Sequence, residues 1–172
     1  MIMKQKLQIW LEYFLVFSFL GWIYESIWCS MIEQNKGFVN RGFLTGPYLP
    51  IYGTGICLIF FVLHKYQIRN GLAVFVIAVG ISILVELAGS YIMEALTGSF
   101  AWDYTGYFGN FQGRIAVKPD LMFGFLTLLA FYGVVPLLEG FHRQPVWLQR
   151  AVLSAVSVCF LFDLSVHLIA CM

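Results

Sequence analysis

Charge is the commodity this chain lacks. Only 11% of its 172 residues are charged, where a soluble domain carries about 25% to cover its water-facing surface. The net charge is +1, which excludes the strongly basic footprint of a nucleic-acid binder. Cysteine is sparse and unpatterned. Cys29, Cys57, Cys159 and Cys171 form no C-x-x-C pair and sit in or beside apolar runs, so they read as buried small hydrophobes rather than disulfide or metal ligands. There is no G-x-x-x-x-G-K-[ST] loop, no H-E-x-x-H and no G-x-S-x-G elbow, so no nucleotide site, zinc-protease site or serine nucleophile is expected and no cofactor is implied. Nothing resembles an arginine-rich voltage sensor or a potassium filter.

Apolar sequence is what the chain has instead. Sixty per cent of residues are hydrophobic, and the mean hydropathy is +0.83. A bilayer core about 30 Å thick takes roughly 20 helical residues to cross. Apolar runs at about 11–31, 49–63, 72–96, 121–138 and 146–170 predict a single all-α transmembrane domain over 1–172, a bundle of about five helices. The start, Met1-Ile2-Met3-Lys4-Gln5-Lys6, resembles a signal peptide, but the run after it is too long and closes on no small-x-small site. It reads as a retained first span.

Lys and Arg counts predict the orientation. With the N-terminus in the cytoplasm and the C-terminus outside, the inner segments hold Lys4, Lys6, Lys65, Arg69, Arg143 and Arg150. The outer ones hold Lys36, Arg41, Arg114 and Lys118. The second run is short, and Gly42, Gly46, Pro47 and Pro50 break its approach, although Phe43, Leu44, Tyr48 and Leu49 are apolar. Irregular backbone survives at membrane depth only where protein or a water-filled cavity covers it, and broken segments of this kind point to binding sites in transporters. Residues 37–50 are therefore expected to fold back into the mouth of the bundle as a re-entrant or capping loop.

Ionisable residues inside apolar runs are the candidate site, because an acid at a span centre costs about 2.5–3.5 kcal/mol on insertion scales. Glu25 lies in the first span, Glu86 and Glu94 in the third. Arg41 and Arg114 enter from the two outer loops, and pairing acids with arginines is the simplest way to offset the cost; which acid meets which arginine is open. Asp163 and His167, four apart in the last run, are expected to form an intrahelical pair. The loop from Phe100 to Arg114 is dense in aromatics and glycine and carries Asp103, Asn110, Gln112 and Arg114, the makings of a structured external lid between the third and fourth helices. The polar-cluster candidates are Glu25, Asn40, Arg41, Tyr52, Glu86, Trp102, Asp103, Tyr104, Asn110 and Arg114.

Three blocks carry a family resemblance: Gly21-Trp22-x-x-Glu25, then Asn40-Arg41-Gly42-Phe43-Leu44-x-Gly46-Pro47-x-x-Pro50-Ile51-Tyr52-Gly53-x-Gly55, then Trp102-Asp103-Tyr104 with Asn110-x-x-Gly113-Arg114-Ile115. They resemble the bacterial membrane family labelled Putative ABC-transporter type IV (CmpB-type), with Glu86 where that family's acid is expected. Past Lys118 the resemblance fades. It implies a multi-pass protein of the bacterial inner membrane, a permease-like or substrate-binding subunit partnered by the lipid bilayer and by a cytoplasmic ATPase. A membrane-embedded enzyme acting on a lipid-linked substrate and a noncatalytic scaffold or accessory protein stay open as alternatives, the enzyme being the less favoured side of the question. Substrate, catalytic residues and oligomeric state are left unassigned.

Overall fold

The computed structural model describes residues 2–32, 38, 40–42, 46–99 and 102–170, with the side chains of 2–6, 32 and 167–170 left undescribed. Five helices occur among these residues: α1 (Ile2–Ile32), α2 (Pro50–Lys65), α3 (Gly71–Thr97), α4 (Val117–Phe141) and α5 (Val146–Ala170). All but α2 are long and apolar enough to cross a membrane. Helix α2 replaces the run expected at about 49–63, and its 16 residues reach only about 24 Å at 1.5 Å per residue, short of a bilayer core. The fourth span is longer than expected, starting four residues earlier than 121. Large apolar side chains such as Leu72, Leu84, Leu96, Leu129, Leu137 and Phe162 are largely exposed, as they are when lipid is the solvent. Cys159 joins them on the outside of α5, against the expectation that it is buried; Cys29 and Cys57 are half-buried.

The contacts divide the chain into two units, residues 1–57 with 141–172 and residues 58–140. In the first unit, α1 and the start of α2 run antiparallel at close range. Helix α2 opens on Pro50, whose missing N–H costs nothing at a helix start. Gly21 lies against the Tyr52 ring, and Gly53 against Ser18 and the Phe14 carbonyl; small residues here let two backbones approach, the usual device of helix association in lipid. Leu15 and Phe160 form the buried apolar core, flanked by Phe14, Tyr48, Leu153, Val156 and Leu164. The Phe14 and Tyr48 rings meet Phe160 edge-on at 5.6 and 5.4 Å.

In the second unit α3 and α4 pack tightly. Helix α3 is capped at both ends: Asn70 Oδ1 accepts from Ala73 N at 3.1 Å, and Gly98, at φ +77°, donates back to the Glu94 carbonyl. On α4, Asp120, Gly124 and Thr127 form one buried stripe, and Gly124 admits the side chains of Phe75 and Val79 from α3. A π turn at Ala130–Val134 widens α4, its closing bond running from Val135 N–H to the Ala130 carbonyl. The next residue, Pro136, has no N–H to continue the regular ladder, which accounts for the widening.

Candidate functional site

The approach to α2 is built from its hydrogen bonds. Asn40 Oδ1 accepts from Trp22 Nε1 at 2.7 Å and from Gly42 N at 3.0 Å, and Arg41 N donates to Ser26 Oγ at 3.3 Å. Farther along, Leu49 N donates to the Ser18 carbonyl at 3.0 Å. The described part of this segment therefore travels back along α1 from the level of Ser26 to that of Ser18. Ser18 lies 11 residues from one end of the apolar stretch Leu7–Met31 and 13 from the other, about 17 and 20 Å at the helical rise. Irregular backbone thus reaches the middle of the span, with α1 and α5 supplying its cover. Residues 37, 39 and 43–45 of the expected loop lie outside the described residues.

Glu25, Asp163 and Glu12, the acids of the first unit among the described residues, are each committed to a lock. Glu25 Oε2 accepts from the Tyr52 hydroxyl at 2.7 Å, so its described contact is a tyrosine of α2. Asp163 Oδ2 accepts from Gly46 N at 2.7 Å, tying the last helix to the re-entrant segment; it was expected to serve His167, whose side chain lies outside the described residues. Glu12, buried, meets His142 Nε2 at 2.7 Å. Glu12 and His142 escaped the sequence reading, although Glu12 stands at the entry to the first apolar run.

The lid of the second unit, residues 102–116, is folded on itself. Trp102 Nε1 donates to the Arg114 carbonyl at 2.8 Å and Tyr104 N to the Gly113 carbonyl at 2.7 Å. Asp103 Oδ1 accepts from Thr105 N at 2.9 Å and Thr105 Oγ1 at 2.5 Å. The hydroxyl bond and then the amide bond hold the Asp103 carboxyl below the usual carboxylate range. The Asn110 amide ties the Thr105 and Tyr107 carbonyls to Gly113 N. Gly113 sits at φ +70°, and a Cβ there would fall 2.7 Å from Asp103 Oδ1. Asn110, Asp103 and Trp102 thus build the lid.

Beneath it lies the densest buried charge among the described residues. Glu86, Ser90 and Glu94 follow one another at helical spacing along one face of α3, continuing the stripe of Val74 and Ala78. Arg114, 7% exposed, reaches down from the lid: Nη1 donates to Ser90 Oγ at 2.7 Å, Nη2 pairs with Glu94, and the guanidinium stacks 4.1 Å from the Tyr91 ring centre. The Tyr91 hydroxyl in turn donates to Gln112 at 2.7 Å. Tyr104 donates from the lid to Glu86 Oε1 at 3.3 Å. From α4, Asp120 is buried as well; Asp120 and Glu86 are 4% and 7% exposed. The expected pairing of acid with arginine is therefore realised for Glu94 with Arg114. Asp120 was missed, its only signal being an acid at the mouth of the fourth apolar run.

An apolar groove of about 310 Å³ lies elsewhere on this unit, lined by Phe108, Val117, Lys118, Leu121, Met122 and Phe125; no member of the charged cluster lines it.

No curated protein and no solved structure matches the chain. The profile of the family described as Putative ABC-transporter type IV matches residues 12–168, reaching well beyond Lys118, where the visible motifs end. With four long apolar helices among its described residues, the motif residues Asn40, Trp102 and Arg114 in irregular segments and Tyr52 in the first turn of α2, the chain belongs to that family of membrane proteins.

Proposed function

We propose that this chain is the membrane-embedded, substrate-contacting subunit of a transporter, and that Glu86, Ser90, Glu94, Tyr104, Arg114 and Asp120 form its polar site. One observation carries the reading: Glu86, Arg114 and Asp120 are all at most 7% exposed in a chain short of charge. Ionisable groups inside membrane spans are costly and mark ligand or ion pathways by default. Family membership agrees with a transport role. With the N-terminus inside, the lid faces the outside, and the short basic connectors around 66–70 and 142–145 face the cytoplasm, where an ATPase partner would dock.

A scaffold reading has one observation of its own: in the first unit Glu12, Glu25 and Asp163 are each engaged in a lock between segments. The two readings divide on what Arg114 does. In a strain lacking the chain, growth across a panel of nutrients and toxic compounds identifies the phenotype to be restored. Arg114→Gln, brought to wild-type abundance and monodispersity, is expected to fail at restoring it, whereas Glu25→Gln at equal abundance restores it. Full restoration by Arg114→Gln overturns the transporter reading and leaves the scaffold.

A further inference from the structure

The apolar groove lies at the seam between the lid and α4, and its walls follow from local sequence. Val117, Leu121 and Phe125 recur at intervals of four along one face of α4, with Lys118 and Met122 each one residue on. Gly109, at φ +65°, turns the lid against the start of this row: a Cβ there would fall 2.5 Å from Val117 Cγ2. That close approach stands the neighbouring Phe108, 87% exposed, as the wall on the lid side. At the far end the Phe125 ring meets Phe75 of α3 at 4.9 Å between centres. The space bordered in this way is about 310 Å³, within the range of about 300–1,000 Å³ that ligand sites occupy.

Three features say what fills it. The row continues into Leu129, exposed like Val117, Leu121 and Phe125, so the groove opens onto the lipid-facing side of a helix apolar enough to cross a membrane. From Val117 to Phe125 the groove follows the helix axis for about 12 Å at the helical rise, which is the direction a lipid tail takes. Its charged lining residue is Lys118, in the first turn of the span, and no acid lines it among the described residues. A lysine so placed lays its stem along apolar surface and lifts its ammonium to the headgroup level. That ammonium has three N–H donors, so it can serve a phosphate oxygen in addition to a contact within the chain. We propose that this groove binds one anionic phospholipid from the leaflet on the lid side, an acyl chain lying along Leu121, Met122 and Phe125 and the phosphate at Lys118. Because Phe108 belongs to the lid and the other walls to α4, the bound lipid bridges the lid to the span. The groove shares no residue with the charged cluster, so this site and the transport reading stand or fall separately.

Native mass spectrometry of the purified chain, offered equal amounts of phosphatidylglycerol and phosphatidylcholine with matched tails, counts the lipid retained. One phosphatidylglycerol per chain is expected, preferred about fivefold over phosphatidylcholine, the preference one lysine gives at an anionic membrane surface. Lys118→Gln is expected to retain the two lipids equally, and Leu121→Trp, which fills the groove and keeps the lysine, to retain neither. Both side chains are exposed, so both variants are expected to keep the wild-type helicity, read by circular dichroism. Equal retention of the two lipids by the wild type, an unchanged preference in Lys118→Gln, or unchanged retention in Leu121→Trp each overturn the proposal. So does a lipid-free wild type that runs as a dimer and becomes monomeric in Leu121→Trp, the result that gives this face to a second copy of the chain.

Discussion

Gly53 offers the sharpest test of how the first unit is held. A Cβ added there would lie 2.3 Å from Ser18 Oγ and 2.4 Å from the Phe14 carbonyl oxygen. Ordinary contacts begin near 3.4 Å, so the shortfall at the carbonyl is about 1 Å. Ser18 can rotate its hydroxyl away. The Phe14 carbonyl belongs to the α1 backbone and can retreat only by moving α1 from α2. That movement strains the bond from Leu49 N to the Ser18 carbonyl, the last anchor of the re-entrant segment before α2 begins. Overpacking a tight interface costs typically 1–3 kcal/mol, and a weakened hydrogen bond adds about 0.5–1.5 kcal/mol. Against this, alanine is the better helix former by up to about 1 kcal/mol. Gly53→Ala is therefore expected to destabilise by about 1–3 kcal/mol. Gly80, exposed on α3, has nothing within 4 Å of its would-be Cβ, so Gly80→Ala is expected to be neutral or stabilising by up to about 1 kcal/mol. Both are read by denaturant unfolding in mixed micelles, following helicity. If Gly53→Ala proves as stable as Gly80→Ala, the close approach of α1 and α2 is wrong.

Gly113→Ala places a β-carbon at φ +70° and within 2.8 Å of both Asp103 Oδ1 and Thr105 Oγ1; left-handed backbone alone costs about 1–2 kcal/mol for an L residue, and hydrogen exchange across 102–116 is expected to accelerate while α3 keeps its protection. The Asp103 carboxyl, held below its ordinary value by its two bonds from Thr105, supplies stability that is complete above the unfolded value of about 3.9 and is lost as pH falls through the lower folded value. Protection of the Thr105 amide, corrected for intrinsic exchange, is thus expected to hold from neutral pH down to the ordinary carboxylate range and to fall below it in the wild type. An Asp103→Asn lid whose protection follows the same fall would refute the assignment.

The membrane class and four of the spans were legible because they rest on length and composition, quantities that tertiary contacts barely alter. Helix α2 was harder. Its apolar stretch announces a span, while its shortfall depends on where Pro50 lets the helix begin and on Leu49 finding the Ser18 carbonyl, which is a tertiary fact. The lid was legible as a polar, glycine-rich loop, and Gly113 with Arg114 stood out in it. Pairing was not legible. Arg41 and Arg114 looked alike in sequence, yet only the fold brings Arg114 over the face of Ser90 and Glu94. Asp120 stayed hidden because an acid in the first turn of a helix is ordinarily a favourable dipole partner, and nothing local reveals that this one is buried on a helix packed against α3.

The acids of the two units are used in opposite ways, and the difference lies in what meets them. In the first unit each carboxylate among the described residues receives a donor from a distant segment: the Tyr52 hydroxyl at Glu25, the Gly46 amide at Asp163, the His142 ring at Glu12. A carboxylate so satisfied is a fastener, and the cost of holding it in lipid is offset by the segments it joins. In the second unit Glu86 and Asp120 are buried on the two helices that pack together, and Glu86 takes a bond from the lid, that of the Tyr104 hydroxyl. A bond given from the lid holds only while the lid stays seated, so the surroundings of this acid are sensitive to one loop. Arg114 raises that sensitivity, since it hangs from the lid while its partners Ser90 and Glu94 sit on α3. Any movement of the lid displaces both the Tyr104 hydroxyl and the Arg114 charge from α3 together. The first unit is built to stay put, whereas the second concentrates its buried charge where one loop can change it.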